Sequence, residues 1–176
     1  FKVTPVAARV LAARGYKADE RTENFISPSL KGGLPDPSGL KNLDAACALI
    51  TQTVEAGKPI AICCDFDVDG LSGGAIVSHF LRKAGAKVEV FVPDRFVDGY
   101  GLNHWMVTKA VEDGFGLLIA IDYGTTNLAE LAAARELGLS TIVLDHHHLG
   151  VELPQTDVLI NPNQNGCGFA EKTLCA

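Results

Sequence analysis

Apolar and polar positions along this 176-residue chain change period at short intervals, and the changes divide it into elements. Compact β-prone runs recur at 60–64, 87–92, 117–121, 140–144 and 158–160. Between them apolar residues return every three or four positions, the spacing of one helix face. The segments concerned are 42–55, with Leu43, Ala46, Cys47, Ile50 and Val54; 71–84, with Ile76, Phe80 and Ala84; 104–112; and an alanine-rich stretch over 126–137. Gly57, Gly85 and Gly138 supply helix stops. Ahead of these units, 6–14 and 19–26 read as two short helices parted by Gly15, and 27–40, dense in Pro, Gly and Ser, as a loop. Strand–helix–strand units with short connections predict an α/β fold, with a parallel sheet, right-handed crossovers and helices on both faces. The chain therefore divides into a helical and loop lead-in, 1–41, and an α/β domain, 42–176.

Ligands of such sheets sit beyond the carboxyl ends of the strands. Three of the five runs end in acids: Asp65, Asp67 and Asp69 ahead of Gly70, then Asp122, then Asp145 with His146 and His147. Carboxylates this close repel one another and raise one another's pKa unless cations sit among them, so metal binding is the expectation. Imidazole beside carboxylate suits Mn²⁺, Fe²⁺ or Zn²⁺ better than Ca²⁺, with His148 expected as a bystander. An EF-hand loop is excluded, because its twelfth position is Ile76 where a Glu is required and the acids follow a strand. Two other readings stay open for the acidic turn. One is a haloacid-dehalogenase-type nucleophile loop, although Leu71 stands where that family has Thr; the other is simple capping of the helix that follows, which suits one Asp better than three.

Composition narrows the classes further. A net charge of −6 argues against a broadly basic nucleic-acid surface, an objection that bound cations would reverse locally. Five cysteines without a CxxC pair indicate neither a disulfide framework nor a zinc ribbon, and are expected as small buried side chains. No phosphate loop of the GxxxxGK[ST] type is present, and Ser72 and Ser78 have no evident base partner. No apolar run approaches the roughly 20 residues of a membrane span, so no membrane association and a cytoplasmic location are expected. A chain opening on Phe1 and closing at Ala176 reads as a fragment.

The segments DFDVDG, VPDRFVDGYGLN, IDYG, LDHHH and INPNQNGCGF, in this order, resemble the DHH phosphoesterase superfamily, specifically the RecJ single-strand-specific 5′ to 3′ exonucleases. The resemblance runs from about residue 30 to the end. It implies a five-stranded parallel domain whose two-Mn²⁺ (or Mg²⁺) site hydrolyses single-stranded DNA in repair and recombination, alongside other repair or replication proteins. Carried onto this chain, the metal-site acids are Asp65, Asp67, Asp69 and Asp122, with His146 as a ligand and His147 near the scissile phosphate. Cys63 stands where several members have a ligand His, and a later Asp expected to finish the site lies beyond FAEKTLCA; this chain alone is therefore expected to bind metal weakly and to be nearly inactive.

Arg95 or His147 is expected to steady the leaving oxygen, Arg95 alternatively forming a structural pair with Asp94 or Asp98. Tyr100, Phe96 and His104 are candidates to stack on bases of a single strand. A phosphodiesterase or pyrophosphatase acting on a small nucleotide or pyrophosphate is the alternative enzyme, disfavoured by the DRF and GYGL segments. A catalytically silent scaffold is disfavoured by the intact acids.

Overall fold

A computed structural model describes residues 1–29, 34–169, 172, 174 and 175. Residues 30–33 of the expected 27–40 loop lie outside the described set, as do 170, 171, 173 and 176 of the terminal FAEKTLCA stretch. No described helix is long and apolar enough to cross a membrane. Two compact units form, Phe1–Asp36 and Pro37–Ala176. In the first, Pro5 opens α1 (Pro5–Ala13) and the Thr4 hydroxyl caps it by accepting from Ala7 N at 3.3 Å. Asp19 caps α2 (Glu20–Ile26) through Thr22 N at 3.0 Å.

The second unit begins with a 3₁₀ turn, Pro37–Gly39, within the segment expected as loop. It continues as α3 (Leu43–Glu55), β1 (Ile60–Cys64), α4 (Val68–Lys83), β2 (Val88–Phe91), α5 (His104–Glu112), β3 (Leu117–Ile121), α6 (Leu128–Glu136), β4 (Ser140–Leu144) and β5 (Val158–Ile160). All strand pairs are parallel, in the order β2-β1-β3-β4-β5.

Because side chains alternate across a strand, each inner strand feeds two cores. Ala61, Cys63, Leu118, Ala120 and Val143 pack with Met106, Val107 and Ala110 of α5 and Leu131 and Ala134 of α6. Ile60, Ile62, Cys64, Leu117, Ile119, Ile121 and Ile142 pack on the other side with Ala46 of α3 and Leu81 of α4. Each large aliphatic side chain buried this way contributes about 1.5–3 kcal/mol, which is why β1 and β3 tolerate no polar position.

Helix α4 departs from the expected pattern. It starts at Val68 rather than 71, because the Asp67 side chain caps it. Its inward face is Gly70, Gly73, Gly74, Ser78 and Leu81, whereas Ile76 and Phe80, expected inside, are 71% and 68% exposed. Small residues win that face because the helix rests almost on the end of β1: a Cβ on Gly70 would stand 2.6 Å from the backbone N and O of Asp65. The cysteines also divide. Cys63 and Cys64 are buried as expected, but Cys47 and Cys175 are exposed and Cys167 half-buried.

Gly70→Ala tests this contact. Elsewhere in a helix that change stabilises by up to about 1 kcal/mol; here it should destabilise by roughly 1–3 kcal/mol, since backbone must move. Chemical denaturation against Ile76→Ala, expected near neutral, gives the comparison.

Candidate metal centre

Strand register places the site. Cys64 pairs with Ile121 and Ile121 with Leu144, so the residues that follow, Asp65, Asp122 and Asp145, emerge side by side. The ladder extends one step to hold each: Asp65 N donates to Ile121 O (3.3 Å), Asp122 N to Leu144 O (2.9 Å) and Asp145 N to Ile160 O (3.0 Å). From β1 the chain crosses to β2 on one side, while β3 leads to β4 on the other. Asp65 and Asp122 thus flank the crevice where the strand order reverses, the ordinary ligand position in an open α/β sheet.

Each acid has a different commitment. Asp65, 2% exposed, accepts from Phe66 N with one oxygen (2.7 Å). Asp67 uses one oxygen to cap α4, accepting from Asp69 N at 2.9 Å and Gly70 N at 3.1 Å. Asp122 is buried and sits at φ +65°, a left-handed conformation that Asp and Asn accept more readily than other side chains. Gly124 finishes this turn at φ +114°, where a Cβ would meet Val143 Cγ1 at 2.9 Å. His146 Nε2 lies 3.1 Å from Asp122 Oδ1 and 3.4 Å from Asp69 Oδ2.

Asp145 behaves otherwise. Its Oδ1 accepts from His146 N (2.7 Å), His147 N (3.1 Å) and His147 Nδ1 (2.7 Å), and its Oδ2 from Thr125 N (3.0 Å). With both oxygens so engaged, it orients His147 and turns Nε2 of that ring toward the Tyr100 hydroxyl, 3.5 Å away. His148 is exposed and belongs to neither donor set found among the described residues.

Among the described residues two sets of donor atoms result, the atoms of each within 4.8 Å of one another: Asp65, Asp67 and Asp122, and Asp122, His146 and His147. Asp122 is common to both. Beside them a cleft of about 450 Å³ is lined by Asp65, Phe66, Asp67, Arg95, Gly99 and Tyr100. The Arg95 guanidinium lies 5.4 Å from the Phe66 ring centroid. Asp94 and Asp98 each commit an oxygen to the turn itself, accepting from Phe96 N (2.8 Å) and Asp94 N (2.7 Å), and the alternative pairing of Arg95 with either acid is not formed among the described residues. Phe96 is 95% exposed at the tip of that turn. His104 is exposed as the first residue of α5.

The electrostatics fit a cation. Burial, then the charges of Asp69 and Asp67, push Asp122 up to about 6, against the pull of His146 and His147. Burial raises Asp65 as well. Burial together with Asp65, Asp145, Asp122 and Asp67 pushes Tyr100 up to about 12. For Asp145, burial is outweighed by hydrogen bonds from Thr125 and His147, which hold it below the usual carboxylate value. For His147, burial opposes charge, but the bond to Asp145 and the surrounding acids raise it. Acids that resist ionisation unless positive charge arrives, next to imidazole nitrogens, form a donor set suited to a borderline divalent metal.

Residues 59–176 match the DHH family, N-terminal domain. The chain belongs to the DHH family. This DHH chain is 35% identical over 172 residues to the single-stranded-DNA-specific exonuclease RecJ of Bacillus subtilis (strain 168), covering 98% of this chain and 22% of that protein. To the RecJ of Escherichia coli (strain K12) it is 34% identical over 174 residues, covering 98% and 29%. The crystal structure of RecJ in complex with Mn²⁺ from Thermus thermophilus superimposes with a TM-score of 0.70 at 32% identity, over 97% of this chain and 23% of that one. A crystal structure of exonuclease RecJ bound to manganese gives 0.68 at 38% identity, over 76% and 33%. The DHH chain thus spans about a quarter of the length of these curated relatives.

Sequence reasoning missed how Asp145 is used. It counted the acid among groups aimed at the site, and the Thr125 N–H and the two following histidines claim it instead. The signal available was adjacency: an Asp followed directly by residues whose backbone N–H groups it can reach often turns back on them.

The raised Asp122 pKa gives a signed pH effect. Its folded value, about 6, lies above the ordinary 3.8, so its contribution to stability is full below about pH 4 and lost as pH rises through 6. In the presence of a chelator, Asp122→Asn should stabilise the chain at pH 7.5 by roughly 1–3 kcal/mol and leave it unchanged near pH 4. Thermal melts at both pH values check this; Asn also keeps the left-handed backbone, which Ala would strain.

Proposed function

We propose that this chain carries the metal site of an exonuclease that hydrolyses single-stranded DNA from the 5′ end, taking two Mn²⁺ or Mg²⁺ ions and working in the cytoplasm in DNA repair and recombination, with other repair or replication proteins as partners. The observation that carries the reading is the placement of Asp122 in both donor sets at the reversal of strand order. In this reading Asp65, Asp67, Asp69, Asp122 and His146 hold the ions. Bound divalent ions in such a site supply an activated water and neutralise phosphate charge.

The remaining steps belong to side chains of the chain itself. His147, fixed through Nδ1 by Asp145, presents Nε2 to the scissile phosphate and the leaving oxygen. Arg95, steadied on Phe66 beside the cleft, offers a positive charge to a phosphate. Tyr100, 58% exposed at the cleft wall, and His104, exposed at the start of α5, offer rings as surfaces for unpaired bases. Similarity to RecJ along nearly the whole chain supports this substrate over a small nucleotide or pyrophosphate, and the convergence of acids and imidazoles from three strand ends supports an enzyme over a silent scaffold.

Asp122→Asn in the whole gene product should lower Mn²⁺-dependent release of nucleotides from a 5′-labelled single strand by more than about 100-fold, because loss of an outer-shell partner alone costs 10–100-fold. Retained release would remove Asp122 from the site. Arg95→Gln should weaken single-strand binding and reduce the slope of log K against log salt by about 0.7, the share of one phosphate contact. An unchanged slope in a salt titration would show that Arg95 meets no phosphate.

A further inference from the structure

We infer that Asn161 and Asn163, the two asparagines after β5, are positioning residues of the metal centre that hold His146 and His147 through their backbone carbonyls; the inference rests on the metal reading above. His146 and His147 lie past the last ladder bond of β4, which Asp145 N makes to Ile160 O, so their peptide groups need other partners. The two histidine N–H groups go to Asp145 Oδ1. The two carbonyls go one to each asparagine: Asn163 Nδ2 donates to His146 O at 2.7 Å, and Asn161 Nδ2 to His147 O at 2.9 Å. All four main-chain polar groups of the pair are thus fixed by side chains.

Asn161 is only 1% exposed, and its amide is used from both ends. Nδ2 also donates to Thr125 Oγ1 at 3.1 Å, and the amide oxygen accepts from Asn163 N at 2.8 Å. Thr125 in turn donates its N–H to Asp145 Oδ2, closing a ring of hydrogen bonds through the turns after β3, β4 and β5. Only a side chain with two donors on one atom and an acceptor on the other fills that place, so neither Asp nor Leu substitutes for Asn161. Register delivers it there, because Leu144 pairs with Ile160 and the next residues are Asp145 and Asn161. The lever is short: His146 Nε2 has to stay near Asp122 Oδ1 and Asp69 Oδ2, and a peptide free to rotate would carry the ring away. Groups that orient ligands in this way are worth 10–100-fold in metal affinity.

The test uses the whole gene product. Asn163→Ala removes one carbonyl clamp and leaves the buried Asn161 amide bonded to Thr125 and His147. It should bind Mn²⁺ about 10–100-fold more weakly by calorimetry, with a metal-free melting temperature within a few degrees of the parent. Imidazole ¹⁵N spectra should show His146 sampling more than one environment. Asn161→Asp, which cannot donate, should lose affinity too, and at least as much. Parent-like Mn²⁺ affinity in Asn163→Ala overturns the inference, as does a loss of affinity matched by a large fall in melting temperature, which would make the clamp merely structural. Absence of Mn²⁺ binding by the parent protein removes the metal reading itself, a result distinct from equal binding by parent and variant.

Discussion

The site depends on one register shared by three parallel strands. With Cys64, Ile121 and Leu144 abreast, the next residue on each strand is an aspartate, and the ladder hydrogen bonds reach one step further to hold each backbone. A slip of one residue in any of these pairings would send its apolar set to the opposite face, so the cores on both faces of the sheet enforce the alignment. Burying these acids and crowding them together is unfavourable: the rise of Asp122 to about 6, from burial first and then the charges of Asp69 and Asp67, corresponds to at most roughly 3 kcal/mol at neutral pH. Burial of one or two of the isoleucines of β1 or β3 offsets that. The sheet can therefore hold a charge cluster in advance of any cation, and a cation that arrives relieves the repulsion.

Within the DHH chain, carboxylates at the strand ends divide their labour. Asp67 gives one oxygen to the helix it caps, Asp145 gives both to backbone and imidazole, and Asp122 stays buried between two donor sets. The number of acids at a strand end is thus a poor guide to the number available to a ligand. The same division shapes the loop after β2, where Asp94 and Asp98 tie the turn and leave Arg95 on Phe66 and Phe96 projecting. A turn fixed by its own side chains presents these groups without the entropy loss that a slack loop would suffer on binding.

Alternation of apolar runs with helical spacing determined the parallel α/β class, the edges of β1, β3, β4 and β5, and the end of the sheet at which the chemistry gathers, because period and strand-end position are local properties of the chain. The same local signals marked Asp65, Asp67, Asp69, Asp122, His146 and His147. Only the tertiary structure decided which groups touch. It turned α4 so that Gly70, Gly73 and Gly74 face the sheet and Ile76 and Phe80 face outward, since closeness of backbone to the end of β1 outweighs the size of the side chains. It tied both oxygens of Asp145 to Thr125 and the two histidines, took Arg95 to Phe66 rather than to Asp94 or Asp98, and brought Asn161 and Asn163 to the histidine carbonyls. Those contacts join residues on different strands and loops, and their energies depend on distances that no spacing along the chain encodes.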